Sequence, residues 1–245
     1  MTLGIGGTQS YGDPSYWDNR YNQEESPFDW YQKYSALAPL LHLLISPSQR
    51  TLVIGCGNSP FSEGMADDGF EDIVNIDISP VVIEAMQKKY ANHPRLKYIT
   101  MDVRDMSTFE TGSFDAVIDK GTLDSILCGN NSKQNSNKML QEVERVLKDK
   151  GIYILITYAA PSYRLNLLKS IKWKIKLHVI EKIVCGVKSE DQQKWELTRP
   201  IPYQQGKSME EFIGKTPDVH YIYVCTKDDS LEQGELDASV YMHDK

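Results

Sequence analysis

Two glycines one residue apart, Gly55 and Gly57, stop an apolar run that begins at Leu52, and carboxylates follow at Asp77 and Asp102. Glycine permits backbone torsions that a Cβ forbids and lets the main chain approach a ligand closely. Asp77 lies twenty residues beyond Gly57, at the end of a second apolar run, where a carboxylate can accept both hydroxyls of a ribose. Asp102 follows twenty-five residues later, after a third such run, suitably placed for an adenine amino group. A single acid behind a glycine turn fits a dinucleotide site equally well. Pro60, however, stands where the last glycine of a G-x-G-x-x-G fingerprint belongs, and proline matches close helix–strand packing poorly. The second strand-end acid also suits an adenosine pocket better than a pyrophosphate grip.

These groups converge only if they sit at the ends of neighbouring strands. Thr51–Ile54, Ile73–Ile78, Leu96–Met101, Phe114–Ile118, Ile152–Tyr158 and Val219–Cys225 read as strands, and their continuous apolar character suits coverage on both faces. Val81–Tyr90 and Lys138–Leu147 show helical spacing, with Ser79 a cap and Pro80 in a tolerant first turn. Ile175–Ile180 reads as a further strand, antiparallel to Val219–Cys225; a continuous helix over Ile171–Ile183 is the alternative. Polar Lys188–Pro217, with three prolines, reads as a long loop. The expected fold class is α/β: a Rossmann-like, doubly wound, mostly parallel seven-stranded sheet whose last strand is antiparallel.

Gly-rich residues 1–13 and the polar, acidic tail 228–245 are expected to be flexible, leaving one domain over 14–227. Hydrophobic residues at 40% and charged residues at 25% describe a soluble chain able to bury a core. The net charge of −7 argues against wholesale nucleic-acid binding. No apolar run approaches the ~18 residues of a membrane helix, and no signal core is evident, which points to a cytoplasmic protein. Cys56, Cys128, Cys185 and Cys225 form no CxxC pair, so neither a zinc site nor a disulfide framework is expected.

The runs VIGCGNS, NIDIS, TMDVRD and FDAVIDKGTLD, between Thr51 and Asp124, resemble the class I S-adenosylmethionine-dependent methyltransferases. More narrowly, the chain is similar to the methyltransferase-like enzymes that modify lysine of translation elongation factor 1-alpha. Tyr16-Trp17-Asp18-Asn19-Arg20-Tyr21 and Phe28-Asp29-Trp30-Tyr31 match that group's upstream YW-x-x-R-Y and aromatic-acid-Trp elements, and the likeness covers roughly residues 14–161. The resemblance implies S-adenosyl-L-methionine as cofactor, with S-adenosyl-L-homocysteine as product. It places Gly55 beside the methionine part and Gly57 in the turn, Asp77 and Ile78 at the ribose and adenine, and Asp102 and Val103 at the adenine. Trp17, Tyr21 and Trp30 would come from N-terminal lid helices, and Lys120 would lie beside the cofactor. Aromatic faces attract cations such as a sulfonium, which fits a lid of this composition; a surface helix packing its aromatics on the core is the plainer use.

The chain departs from the wider superfamily at Val53, where many class I enzymes carry an acid two residues before the first glycine. Lys120 is the expected substitute grip on the cofactor's carboxylate, unless it is a solvated salt bridge. The N/D-P-P-Y acceptor loop is absent, and Lys120-Gly121-Thr122-Leu123-Asp124 occupies its place. Asp124 is the nearby carboxylate able to attract or orient an amine, and so the candidate catalytic residue; a helix cap before Ser125–Leu127 is its alternative role. The implied partner is a protein substrate, elongation factor 1-alpha or one like it. A small-molecule methyltransferase and an inactive cofactor-binding module are the competing readings.

Charge is unevenly spread. Arg164, Lys169, Lys172, Lys174, Lys176, Lys182 and Lys188 against Glu181 give 161–188 a charge of +6, leaving −13 on the remainder. That segment borders the substrate face in this fold. It is either a receiving surface for an acidic protein or RNA, or a solvated face.

Overall fold

The computed structural model describes residues 8–24, 26–182, 195–202 and 218–230. In chain order, a 3-10 helix (Thr8–Gly12) is followed by α1 (Pro14–Gln23), α2 (Tyr34–Leu44), β1 (Arg50–Ile54), α3 (Phe61–Asp67) and β2 (Asp72–Asp77). Next come α4 (Pro80–Lys89), β3 (Leu96–Thr100), β4 (Phe114–Lys120), α5 (Thr122–Cys128), α6 (Ser132–Val146) and β5 (Leu147–Thr157). The chain continues through α7 (Pro161–Leu168), β6 (Trp173–Glu181) and β7 (Val219–Lys227).

The seven strands form one sheet in the order β3-β2-β1-β4-β5-β7-β6. β1 to β5 run parallel, while β7 is antiparallel to both β5 and β6. The sheet is apolar on both faces because successive side chains of a strand point to opposite sides. Leu52, Ile54, Val74, Ile76 and Val117 enter one core, and Val53, Ile73, Ala116, Ile118 and Ile154 enter the other. Each of these side chains other than Ala116 stabilises the sheet by about 1.5–3 kcal/mol relative to exposure. The strand order reverses between β1 and β4, which opens a crevice at their C-terminal ends.

Ser79 caps α4, its side chain accepting from the Val82 N–H, with Pro80 opening the helix. α6 starts at Ser132, six residues before the first strongly apolar turn, because its polar opening carries no periodic stripe. Ile175–Ile180 lies within β6, so the helical alternative does not form. Pairing with β7 decides this: Leu177 lies opposite Tyr223 and Val179 opposite Tyr221. Trp173, Leu177 and Val179 are buried while Lys176 is exposed, as suits an edge strand guarded by charge.

Each of the two expected flexible ends includes some described residues. Thr8–Gly12 forms a helical turn. At the other end the Asp228 carboxylate accepts from Lys150 at 2.7 Å and pairs with Lys174 at 3.0 Å, which fixes the start of the acidic tail. Most of the expected loop Lys188–Pro217 lies outside the described residues, as does Cys185. Cys56, Cys128 and Cys225 are free thiols. Among the described residues no cluster of His, Cys, Asp and Glu could hold a metal, and no helix is long and apolar enough to cross a membrane.

Candidate active site

A cavity opens over the C-terminal ends of β1, β2 and β4, walled on its outer side by residues 11–30. Its floor is the turn after β1, where Gly55 and Gly57 adopt φ of +58° and +53°. Close neighbours add to what the torsions impose, more firmly at Gly55 than at Gly57, where the neighbour is a side-chain tip. A Cβ on Gly55 would fall 2.1 Å from Thr122 Oγ1, and one on Gly57 would fall 2.6 Å from Tyr21 Oη.

Asp77 ends β2 beside this turn. Its Oδ2 accepts from the Gly57 N–H at 2.9 Å and its Oδ1 from the Ser79 N–H at 3.0 Å, so backbone amides fix the carboxylate. Burial pushes its pKa up, against the pull of those amides. Asp102 reaches the same cavity with Ile78, Met101 and Val103. Arg104 grips it as a fork, with Nε at 2.9 Å from Oδ1 and Nη2 at 2.6 Å from Oδ2. Burial raises the Asp102 pKa, but the Arg104 hydrogen bonds outweigh it and leave a net lowering.

The opposite wall is aromatic. Trp17 and Tyr21 stack with centroids 6.0 Å apart, and the Trp17 indole N–H donates to the Tyr11 carbonyl at 2.9 Å. The Trp30 ring meets Tyr11 and Phe28 edge-on. Among these rings lies Arg20, its guanidinium 5.8 Å from Trp17, 5.1 Å from Phe28 and 5.6 Å from Trp30. Arg20 lies within the YW-x-x-R-Y element, yet sequence reading gave it no role. Trp17, Arg20, Tyr21 and Glu24 follow i, i+3, i+4, i+7 spacing, which puts all four on one helical face and is the pattern that identifies Arg20.

Side-chain hooks fasten this wall to the floor. The Asn58 amide accepts from the Phe28 N–H at 3.1 Å and donates to the Ser26 carbonyl at 2.9 Å. The Ser59 hydroxyl donates to Asp29, and the Asp18 carboxylate accepts from Ser79 Oγ at 2.5 Å. Lys120, buried at the end of β4, donates to Asp29 Oδ1 at 3.0 Å and to the Trp30 carbonyl at 3.2 Å. Burial draws its pKa down, with Asp29 opposing. The ammonium expected to reach a cofactor carboxylate is thus engaged by the lid. Residues 8–12 close the outer edge, where a Cβ on Gly12 would fall 2.2 Å from the Gly129 Cα.

Of the residues singled out in the sequence, Trp17, Tyr21, Trp30, Gly55, Gly57, Asp77, Ile78, Asp102, Val103 and Lys120 all line this cavity. Asp124 does not. It is 5% exposed, and its carboxylate accepts from Tyr31 Oη at 2.7 Å, from Thr157 Oγ1 at 2.7 Å and from the Arg164 guanidinium. Gly121 is the cap residue of α5, and Asp119 accepts from the first helix amides, the Thr122 and Leu123 N–H groups, at 2.8 and 3.1 Å. Burial, against a 2.8 Å bond from Tyr153 Oη and those two amides, pushes the Asp119 pKa up to about 7.

Residues 52–155 match the family described as a methyltransferase domain. The chain is similar in fold to a TehB-like S-adenosylmethionine-dependent methyltransferase from Corynebacterium glutamicum, at 16% identity and TM-score 0.55 over 88% of this chain and all of that one. The fold, glycine turn and strand-end acids agree with this likeness to methyltransferase domains. Among named proteins, the chain is 39% identical over 166 residues to mouse EEF1A lysine methyltransferase 4, covering 64% of this chain and 65% of that protein. It is 42% identical over 156 residues to human eEF1A lysine and N-terminal methyltransferase, covering 62% of this chain and 22% of that protein. The chain therefore spans less than two thirds of the relatives it matches.

Proposed function

We propose that this protein transfers methyl groups from S-adenosyl-L-methionine to a lysine of a protein, with elongation factor 1-alpha the leading acceptor. The observation that carries the cofactor reading is Asp77. Two backbone amides aim its carboxylate, and its remaining lone pairs are left for a pair of hydroxyls. The rest of the wall fits a nucleoside with a zwitterionic tail. Ile78, Met101 and Val103 supply an apolar slot closed by Asp102, and Arg20, which also pairs with Glu24 at 3.5 Å, supplies a cation for a carboxylate. Trp17 and Trp30 offer π faces to a sulfonium.

The cofactor, when bound, supplies an electrophilic methyl group. The chain's own contribution is exclusion of water by the Tyr11–Trp30 wall and orientation of the nucleophile, which together carry most of such a transfer. A lysine starts from a reference pKa of ~10.4, and a dry site favours its neutral, nucleophilic form. The likeness to lysine methyltransferases of elongation factor 1-alpha supports the acceptor.

The test is incubation with methyl-labelled cofactor and either purified elongation factor 1-alpha or whole-cell extract. The expected result is one labelled protein band with the label on lysine by mass spectrometry. Label confined to small molecules, or no label with the cofactor demonstrably bound, would overturn the protein-lysine assignment.

A further inference from the structure

The aromatic wall continues past Trp30, outside the cavity. Tyr31 has φ of +62°, a left-handed conformation that is costly for a bulky residue and persists only where the surroundings over-determine it. Here five elements do so. Tyr31 Oη is tied to Asp124 of α5, which is clamped by Thr157 of β5 and Arg164 of α7. Its ring packs 4.9 Å from that of His220 in β7. The neighbouring Gln32 donates its amide to His220 Nδ1 at 3.1 Å and to the Glu181 carbonyl of β6 at 2.7 Å. A ring held this firmly, with no part in the cofactor cavity, calls for a role of its own.

Its position supplies one. The Tyr31 ring lies 6.3 Å from that of Tyr158, which is 57% exposed, and 6.2 Å from that of Trp30 in the cavity wall. Its Cε2 is 3.3 Å from where a Cβ of Gly121 would stand, so it also roofs a cavity-lining backbone. Tyr158, Tyr31 and Trp30 thus run in file from solvent to the cavity.

We propose that this file is the path by which the acceptor lysine reaches the methyl group. Tyr31 touches the amine, and Asp124 and Arg164 are positioning residues that act through Tyr31. The proposal rests on the protein-lysine reading above. Aromatic faces cover a four-carbon stem and attract an ammonium, whereas their negative faces disfavour an anionic acceptor. His220 adds no competing charge, since burial and Lys182 bring its pKa down to about 4 and leave the imidazole neutral. The ammonium loses one proton to bulk water at the Tyr158 end. Its lone pair then forms the N–C bond as the sulfonium S–C bond breaks, leaving an N-methylammonium and a thioether.

Kinetics with elongation factor 1-alpha test the path. Tyr31→Ala should lower kcat/KM for the acceptor by ~10²-fold, and Tyr31→Phe should lower kcat by ~10-fold, both with cofactor Kd within about threefold of wild type. Asp124→Asn should match Tyr31→Phe, and the double variant should be no worse than either, because both act through one ring. Tyr158→Ser, on an exposed residue that is safe for folding, should raise the acceptor KM roughly five- to tenfold. A second readout needs no turnover. n-Butylammonium titrated into protein loaded with S-adenosyl-L-homocysteine should shift the Gly121 amide resonance saturably in wild type and not in Tyr31→Ala. Equal responses in wild type and Tyr31→Ala would overturn the proposal, as would cofactor affinity falling in step with turnover. If wild type labels neither elongation factor 1-alpha nor any protein of the extract, the functional reading fails by itself, and the butylammonium titration still decides the path.

Discussion

The two halves of the cavity are made differently. The floor is main chain: glycine backbone at the end of β1, and an Asp77 carboxylate aimed by two amides at the end of β2. The outer wall is side chain: aromatic rings around Arg20, fastened by Asn58, Ser59, Asp18 and Lys120. A backbone-built floor is rigid because moving it means breaking the sheet. A wall hung on side-chain hooks can open without unfolding anything. Affinity should therefore reside in the floor, and exchange should be governed by the wall.

The largest effect should come from the floor. Asp77→Ala removes charge-assisted hydrogen bonds to the cofactor and orphans two buried amides, a loss of about 2–3 kcal/mol, or roughly a hundredfold in Kd. Calorimetry on the folded variant measures it, and unchanged affinity would remove Asp77 from the site. A smaller effect is expected from the wall. Lys120→Met should speed cofactor release by ~10-fold in stopped-flow chase experiments, because the hook to Asp29 and Trp30 is lost. Asp29→Asn placed on top should add little, since both act on one contact. A full additional loss from Asp29→Asn would mean that Lys120 grips the cofactor directly.

The smallest effect concerns the brace behind the wall. The His220 imidazole has its pKa lowered from 6.5 to about 4 on folding, so the unfolded chain binds more protons between those values. Its contribution to stability is complete above pH 6.5 and is lost as pH falls through about 4. Urea midpoints should therefore rise with pH across this window in wild type and less steeply in His220→Gln. Parallel slopes would mean that His220 is not held neutral.

The same contrast explains what could be read before the structure was seen. The Gly55–Gly57 turn, Asp77 and Asp102 are legible because each follows the end of an apolar run, a local pattern. The hooks are not local: Lys120 and Asp29 are 91 residues apart, and Ser59 and Asp29 are 30 apart. Chain proximity puts Asp124 near the acceptor but cannot show what binds its carboxylate, since Tyr31 and Arg164 come from 93 and 40 residues away. β6 was ambiguous for a related reason. Its alternation of Lys174 and Lys176 with apolar residues is short, and only pairing with β7 settles it as a strand.

The contact between Gly12 and Gly129 carries one further consequence. Two main chains meet there with no side chain between them, closer than any other residue type would allow. Such a seal has no rotamer to flip and no gradual way to leak. Opening there would mean displacing the Thr8–Gly12 turn as a whole. A segment that performs none of the chemistry thus closes the cavity beside the side-chain hooks, through a contact with no side chain to loosen.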